Sequence, residues 1–166
     1  MDGLQKMLRA DGHIPVTFSE VPDETSLVIM FSGCPNRCMG CHSSHLWDNT
    51  RGEPFTLTSL LELLHRVGKY ITCVTFLGGE WEPERLKELL IAVQSSNLKT
   101  CLYTGLDDTS TLGDLLPHLD YLKIGHYDRE AGPLTSPTTN QRMYIVHNGE
   151  LKIDITKRFR RKEPCL

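Results

Sequence analysis

"SLVIMFSGCPNRCMGCH", Ser26 to His42, begins as an apolar run and ends in three cysteines spaced C-x3-C-x2-C, with a histidine directly behind the third. Its first half, with β-branched Val28 and Ile29 between Leu27 and Met30, predicts a short buried strand. That strand runs straight into Cys34, Cys38 and Cys41, so the cysteine loop is launched from its carboxyl end.

Outward from this stretch the chain alternates. "TLTSLLELLHRVGKY", Thr56 to Tyr70, predicts a helix with Thr58 or Ser59 as N-cap, Glu62 placed for a capping box, and Leu60, Leu61, Leu64 and Val67 on one side. "ITCVTFLGGE", Ile71 to Glu80, reads as a second buried strand ending in two glycines and a carboxylate. "PERLKELLIAVQSSN" opens with Pro83 at a helix start and repeats Leu86, Leu89, Leu90 and Val93 at the period of an amphipathic helix. "LKTCLYTG", a short capped helical stretch "DDTSTLGDLLPHL" limited by Pro117, and the strand "DYLKIG" follow. After a loop rich in Pro, Ser and Thr, "MYIVHNGELKIDI" gives two alternating runs joined at Asn148 and Gly149, a strong hairpin signal.

Strand-helix alternation predicts an α/β fold with a parallel sheet and right-handed crossovers. A closed eight-stranded barrel takes about 250 residues. With 166 residues the chain is expected to form an open, partial (βα) barrel with a C-terminal β-hairpin. Ligand sites in such sheets lie at the carboxyl ends of the strands. The cysteine loop, Gly78-Gly79-Glu80, Thr104-Gly105 and Lys123 all fall there.

Composition sets the bounds. With 39% hydrophobic and 23% charged residues, the chain is expected to be one domain over residues 1–166, with a core at about 26–147 and a basic tail at 157–166. The net charge of −3 gives no general nucleic-acid footprint, although "KRFRRK" near the end is locally basic. No apolar run is long enough to span a bilayer, and "MDGLQKMLRADG" lacks the apolar core of a secretory signal, so neither membrane nor nucleic acid is expected as a partner and a cytoplasmic location is. In a reducing cytosol, clustered cysteines bind metal more often than they pair as disulfides.

Which metal they bind is a matter of ligand number. Structural zinc wants four ligands, and Cys34, Cys38 and Cys41 with His42 form a conceivable Cys3His set, which would make the protein a zinc-stabilised binding module. Adjacent Cys41 and His42 would have to turn onto one ion, and no second ligand pair is evident. A four-iron four-sulfur cluster usually takes four thiolates, so three leave one iron open to a substrate.

"CPNRCMGC", placed after an apolar strand with "GGE" after the next, resembles the radical S-adenosylmethionine enzymes, whose shared motif is C-x3-C-x2-C on the loop after the first barrel strand. "CMGCHSSHLWD", with Trp47-Asp48, and "TTNQRMY", Thr138 to Tyr144, resemble the activating proteins of anaerobic (class III) ribonucleotide reductases within that family. Many radical enzymes carry an aromatic residue before the third cysteine, where this chain has Gly40.

The resemblance implies a radical-type partial barrel, one 4Fe-4S cluster on Cys34, Cys38 and Cys41, and S-adenosyl-L-methionine chelated at the open iron. It implies reductive cleavage of that cofactor to a 5'-deoxyadenosyl radical. It also implies a glycyl radical on the large subunit of anaerobic ribonucleotide reductase, with an electron donor such as flavodoxin or ferredoxin. Another glycyl radical enzyme, or a purine-like small molecule, is the alternative substrate.

Gly78 and Gly79 are expected to let the backbone approach the methionyl part, so that a side chain at Gly79 would fill cofactor space, and Glu80 to accept from its ammonium group. Gly40 and His42 are expected against the adenine or ribose. Thr104 and Lys123 are candidates for hydrogen bonds to the carboxylate or ribose, and Asn140, Gln141 and Arg142 for closing the site or facing the partner. Trp47 is expected to pack under the cluster loop, and Cys73 and Cys101 are expected in the core.

Overall fold

A computed structural model of the chain describes residues 7–160. In chain order the strands are β1 (Arg9–Ala10), β2 (Val16–Thr17), β3 (Ser26–Met30), β4 (Glu53–Pro54), β5 (Cys73–Leu77), β6 (Lys99–Tyr103), β7 (Tyr121–Ile124), β8 (Arg142–His147) and β9 (Glu150–Asp154). Two α-helices, α1 (Leu57–Val67) and α2 (Pro83–Ser95), lie between them. Seven strands form one mixed sheet in the order β2-β3-β5-β6-β7-β8-β9, and β1 pairs with β4 separately. Strands β3, β5, β6 and β7 are parallel, as the alternation of elements predicts. The remaining pairings in the sheet are antiparallel. Among the described residues no helix is long and apolar enough to cross a membrane.

Alternation along the parallel strands sends one set of side chains to each face. Leu27, Ile29, Val74, Phe76, Leu102 and Leu122 join the leucines of both helices in the larger core. Cys73, Cys101, Tyr121 and Met143 lie in a second cluster, closed by Val21 and Ile155. Burial pushes the Cys73 thiol up to about 12 and raises that of Cys101 well above its ordinary value, so both stay protonated at neutral pH, as core residues do.

Local signals explain the elements, with two shifts from expectation. The cap of α1 is Thr56, whose Oγ1 accepts from the Ser59 N–H while Ser59 Oγ accepts from the Thr56 N–H. A serine hydroxyl thus takes the place expected of Glu62, and the inward stripe runs through Leu60 and Leu64, leaving Leu61 47% exposed. Helix α2 starts at Pro83 and buries Leu86, Leu89, Leu90 and Val93 as its period requires. The stretch before β7 narrows to a 3-10 turn, Gly113–His118, which contains Pro117. Asn148 and Gly149 both take positive φ, 52° and 75°, the two-residue turn that matches strand twist.

The basic end departs from a free tail. Thr156–Phe159 form a 3-10 turn, Thr156 is buried and accepts from the Met143 N–H at 2.9 Å, and Phe159 packs on the second cluster. Arg158 pairs with Asp23. Docking onto β8 therefore carries the folded part at least to Arg160. The remainder of the expected tail, with Cys165, lies outside the described residues.

At the amino ends of the parallel strands, Glu24 is 6% exposed and accepts from Thr72 Oγ1 at 2.6 Å, Lys99 Nζ at 2.5 Å and Tyr121 Oη at 2.7 Å. Burial alone would raise its carboxyl, but these donors outweigh burial and hold it below its usual value. A depressed carboxylate pKa stabilises the fold fully above the unfolded value and loses that contribution as pH falls through the folded one. Glu24→Gln is therefore expected to be less stable than wild type at pH 7, with the gap closing in urea titrations below about pH 4.5, the ordinary value for this group. Cys73→Ala and Cys101→Ala should each lower unfolding free energy by about 1 to 3 kcal/mol, measured by urea denaturation.

Candidate functional site

The cysteine loop is shaped by backbone as much as by thiols. Gly33 leaves β3 at φ 93°, and the N–H groups of Gly33 and Cys34 both reach Leu46 O, at 2.7 and 3.2 Å, folding the loop against the 3-10 turn Ser44–Trp47. Arg37 and Gly40 also take positive φ, and the Cys41 N–H bonds to Cys38 O at 3.1 Å. These bends bring Cys34, Cys38 and Cys41 onto the wall of a single pocket.

That pocket sits at the carboxyl ends of the parallel strands. One register row, Leu77 to Tyr103 to Lys123, crosses β5, β6 and β7, and all three residues line it. Gly78, Glu80 and Thr104 follow directly on the same wall. Beyond β6 and β7 the two loops are clasped, with Asp107 Oδ1 accepting from the His126 N–H at 3.1 Å and standing 2.7 Å from its ring Nδ1. Gly125 and Tyr127 carry that second loop over the pocket.

Glu80 is the most constrained charge here. Burial pushes its carboxyl up, against the pull of a 2.6 Å hydrogen bond from Thr104 Oγ1 to Oε1. Its other oxygen, Oε2, is buried without a partner. Thr104 Oγ1 accepts in turn from the Leu106 N–H at 3.0 Å, so the hydroxyl hydrogen is committed to Glu80. Lys123, 8% exposed, donates to Gly125 O at 2.7 Å and Thr104 O at 3.4 Å, and burial lowers its ammonium to about 8.

Other expected site residues fall at the rim or elsewhere. Gly40 lies against Tyr127 and Arg129, and the exposed His42 ring lies 5.9 Å from the Tyr127 ring. Asn140 is exposed and donates to His126 O at 3.0 Å. Gln141 is buried, and Arg142 is bound to the Thr139 and Gln141 carbonyls and paired with Asp154, so neither joins the cysteines. Trp47 lines the pocket as well as packing beside the loop.

Gly79 corrects an expectation. It is buried at φ 102°, and a Cβ there would stand 2.7 Å from the Phe31 ring and 3.6 Å from Leu8, facing the core and not ligand space. Its conformation turns the chain out of β5, while Gly78 closes onto Trp81.

Residues missed in the sequence include Asn36, Leu77, Trp81, Tyr103 and Tyr127. Tyr103 was within reach, since it shares a strand face with Cys101. Tyr127 sits in a loop without periodicity, and Asn36 had only its place between two cysteines.

Among the described residues no three His, Cys, Asp or Glu side chains converge on a single metal ion.

Gly79→Ala is expected to destabilise the fold by about 1 to 3 kcal/mol, through the Phe31 contact and the left-handed backbone. Urea denaturation measures it, and unchanged stability would contradict the packing described.

Comparison with known proteins places the chain in a family. The chain is 26% identical over 139 residues to the anaerobic ribonucleoside-triphosphate reductase-activating protein of Enterobacteria phage T4, an alignment covering 77% of this chain and 88% of that protein. Residues 24–146, from the buried Glu24 through the cysteine loop to β8, match the family described as a 4Fe-4S single cluster domain. With its three-cysteine loop inside that span, the chain belongs to the 4Fe-4S single cluster domain family.

Proposed function

We propose that this protein is a radical S-adenosylmethionine enzyme that activates an anaerobic ribonucleotide reductase, with one four-iron cluster held by Cys34, Cys38 and Cys41. The observation that carries the reading is that three cysteines share one pocket with Glu80, a buried carboxylate that has one oxygen unpaired. Three thiolates leave one iron of four without a protein ligand, and Glu80 Oε2 offers an acceptor for an ammonium group beside it. When bound, the cluster and S-adenosylmethionine would supply one-electron reductive cleavage of the sulfonium and the radical chemistry that removes a hydrogen atom from a glycine of the partner.

The chain's own residues hold, orient and shield. Thr104 fixes the Glu80 carboxylate by committing its hydroxyl hydrogen to Oε1. Leu77, Tyr103 and Trp81 give the pocket apolar walls that limit water. Gly78 presents backbone, Lys123 adds a cation at the floor, and Gly40, His42 and Asn140 belong to the rim where adenine, ribose or partner would lie.

In this reading residues 1–166 are one domain, and the sheet is an open partial barrel whose second face looks inward. An open side suits a substrate that is a loop of another protein. The name of the T4 relative supports the large subunit of anaerobic ribonucleotide reductase as that protein. A flavodoxin or ferredoxin is the proposed electron donor, and a reducing cytoplasm the proposed compartment.

Anaerobic reconstitution is expected to load about four irons per chain, and Cys34→Ala, Cys38→Ala and Cys41→Ala should each lose most of that iron and the associated visible absorption. Mixing the reduced protein with S-adenosylmethionine and an anaerobic ribonucleotide reductase should produce a glycyl doublet in electron paramagnetic resonance. Stoichiometric zinc with no iron after reconstitution would overturn the reading.

A further inference from the structure

We infer that Asn36 is a ligand-binding residue whose side-chain amide donates to the carboxylate of the amino-acid head of S-adenosylmethionine, while Glu80 takes the ammonium. This rests on the reading above and assigns a role to a residue between the cluster cysteines.

Asn36 Nδ2 is buried with no hydrogen-bond partner, and Asn36 lines the same pocket as Glu80. The other buried unpaired side-chain atoms among the described residues, Arg9 Nε, Ser26 Oγ and Ser32 Oγ, belong to residues outside that lining. Native proteins rarely leave such groups unpaired without a ligand or water to satisfy them. One orphaned donor and one orphaned acceptor in a single pocket match the two charged ends of an α-amino acid. Lys123 is a rival donor, since two main-chain carbonyls accept from it and one of its three N–H groups is left for a ligand, whereas Asn36 Nδ2 has no partner at all.

The surroundings of Asn36 are built for it. Gly105 is packed against it, and a Cβ there would stand 2.2 Å from Asn36 Nδ2 and 3.1 Å from its Cγ. Gly105 is absent from the positive-φ glycines, so conformation does not demand a glycine there. Space does, and the Asn36 amide occupies it.

The test is equilibrium binding to the full-length, anaerobically reconstituted protein, using S-adenosylmethionine and its decarboxylated analogue, which keeps the ammonium and lacks the carboxylate. Asn36→Ala is expected to weaken S-adenosylmethionine about tenfold, the scale of one hydrogen bond to a charged group, and to leave the analogue within about twofold. Asn36→Asp should weaken S-adenosylmethionine further, by placing a second anion beside the carboxylate. Gly105→Ala displaces the amide without changing Asn36 and should give the same selective loss, and the double variant should bind no more weakly than the weaker single one. If Asn36→Ala fails to hold iron, Asn36→Asp and Gly105→Ala carry the measurement.

Unchanged affinity for S-adenosylmethionine, or equal loss of both ligands, would overturn the assignment of Asn36 while leaving the proposed function standing. Wild-type protein that holds iron and binds neither ligand would bring down that function, and this inference with it.

Discussion

Parallel hydrogen bonding of β3, β5, β6 and β7 in one register is the constraint on which the rest of the molecule depends. It aligns the carboxyl ends of four strands, so the loops that follow them open on one edge of the sheet. Cysteines, a carboxylate, a threonine and a lysine separated by up to 89 positions, Cys34 to Lys123, meet there without any local signal drawing them together. A one-residue slip of a strand would turn its row to the helix-covered face and remove Tyr103 or Lys123 from the pocket.

The two ends of the sheet treat buried carboxylates oppositely. Glu24, at the amino ends, accepts from three side chains on β5, β6, β7 and their approaches, and is held ionised. Glu80, at the carboxyl ends, has a single side-chain donor and one empty oxygen, and burial raises its pKa. The first arrangement is complete in itself and ties strands together. The second is incomplete, and Asn36 beside it is incomplete in the complementary sense. Polar groups left unsatisfied in an otherwise well-bonded protein mark where binding energy is available.

Glycines at the strand ends divide along similar lines. Gly78 and Gly79 turn the chain at positive φ, and a side chain would meet the pocket-lining Trp81 at Gly78 and Phe31 at Gly79, so Gly78 serves the turn and the pocket and Gly79 the turn and the core. Gly105, without a positive φ, leaves room for the Asn36 amide. The residue type is the same, and only the neighbour across the gap tells the two uses apart.

Short-range physics accounts for much that was legible in the sequence. Spacing of three thiols on one loop, alternation of buried strands with amphipathic helices, the Pro83 start of α2 and the Asn148-Gly149 turn are all encoded within a few positions of one another. The same locality misled at α1, where a serine three residues after Thr56 closes the cap before Glu62 can. It misled at Gly79, whose missing side chain faces Phe31 from a different strand exit, and at the basic end, where Thr156 and Arg158 dock on Met143 and Asp23. Asn36 shows the boundary most clearly: its position between two cysteines is written in the chain. That its Nδ2 is buried, unpaired and seated against Gly105 depends on 68 intervening residues folding the β6 end back over the loop, because burial and hydrogen-bond partnership are properties of what surrounds a group in space and not of its neighbours in sequence.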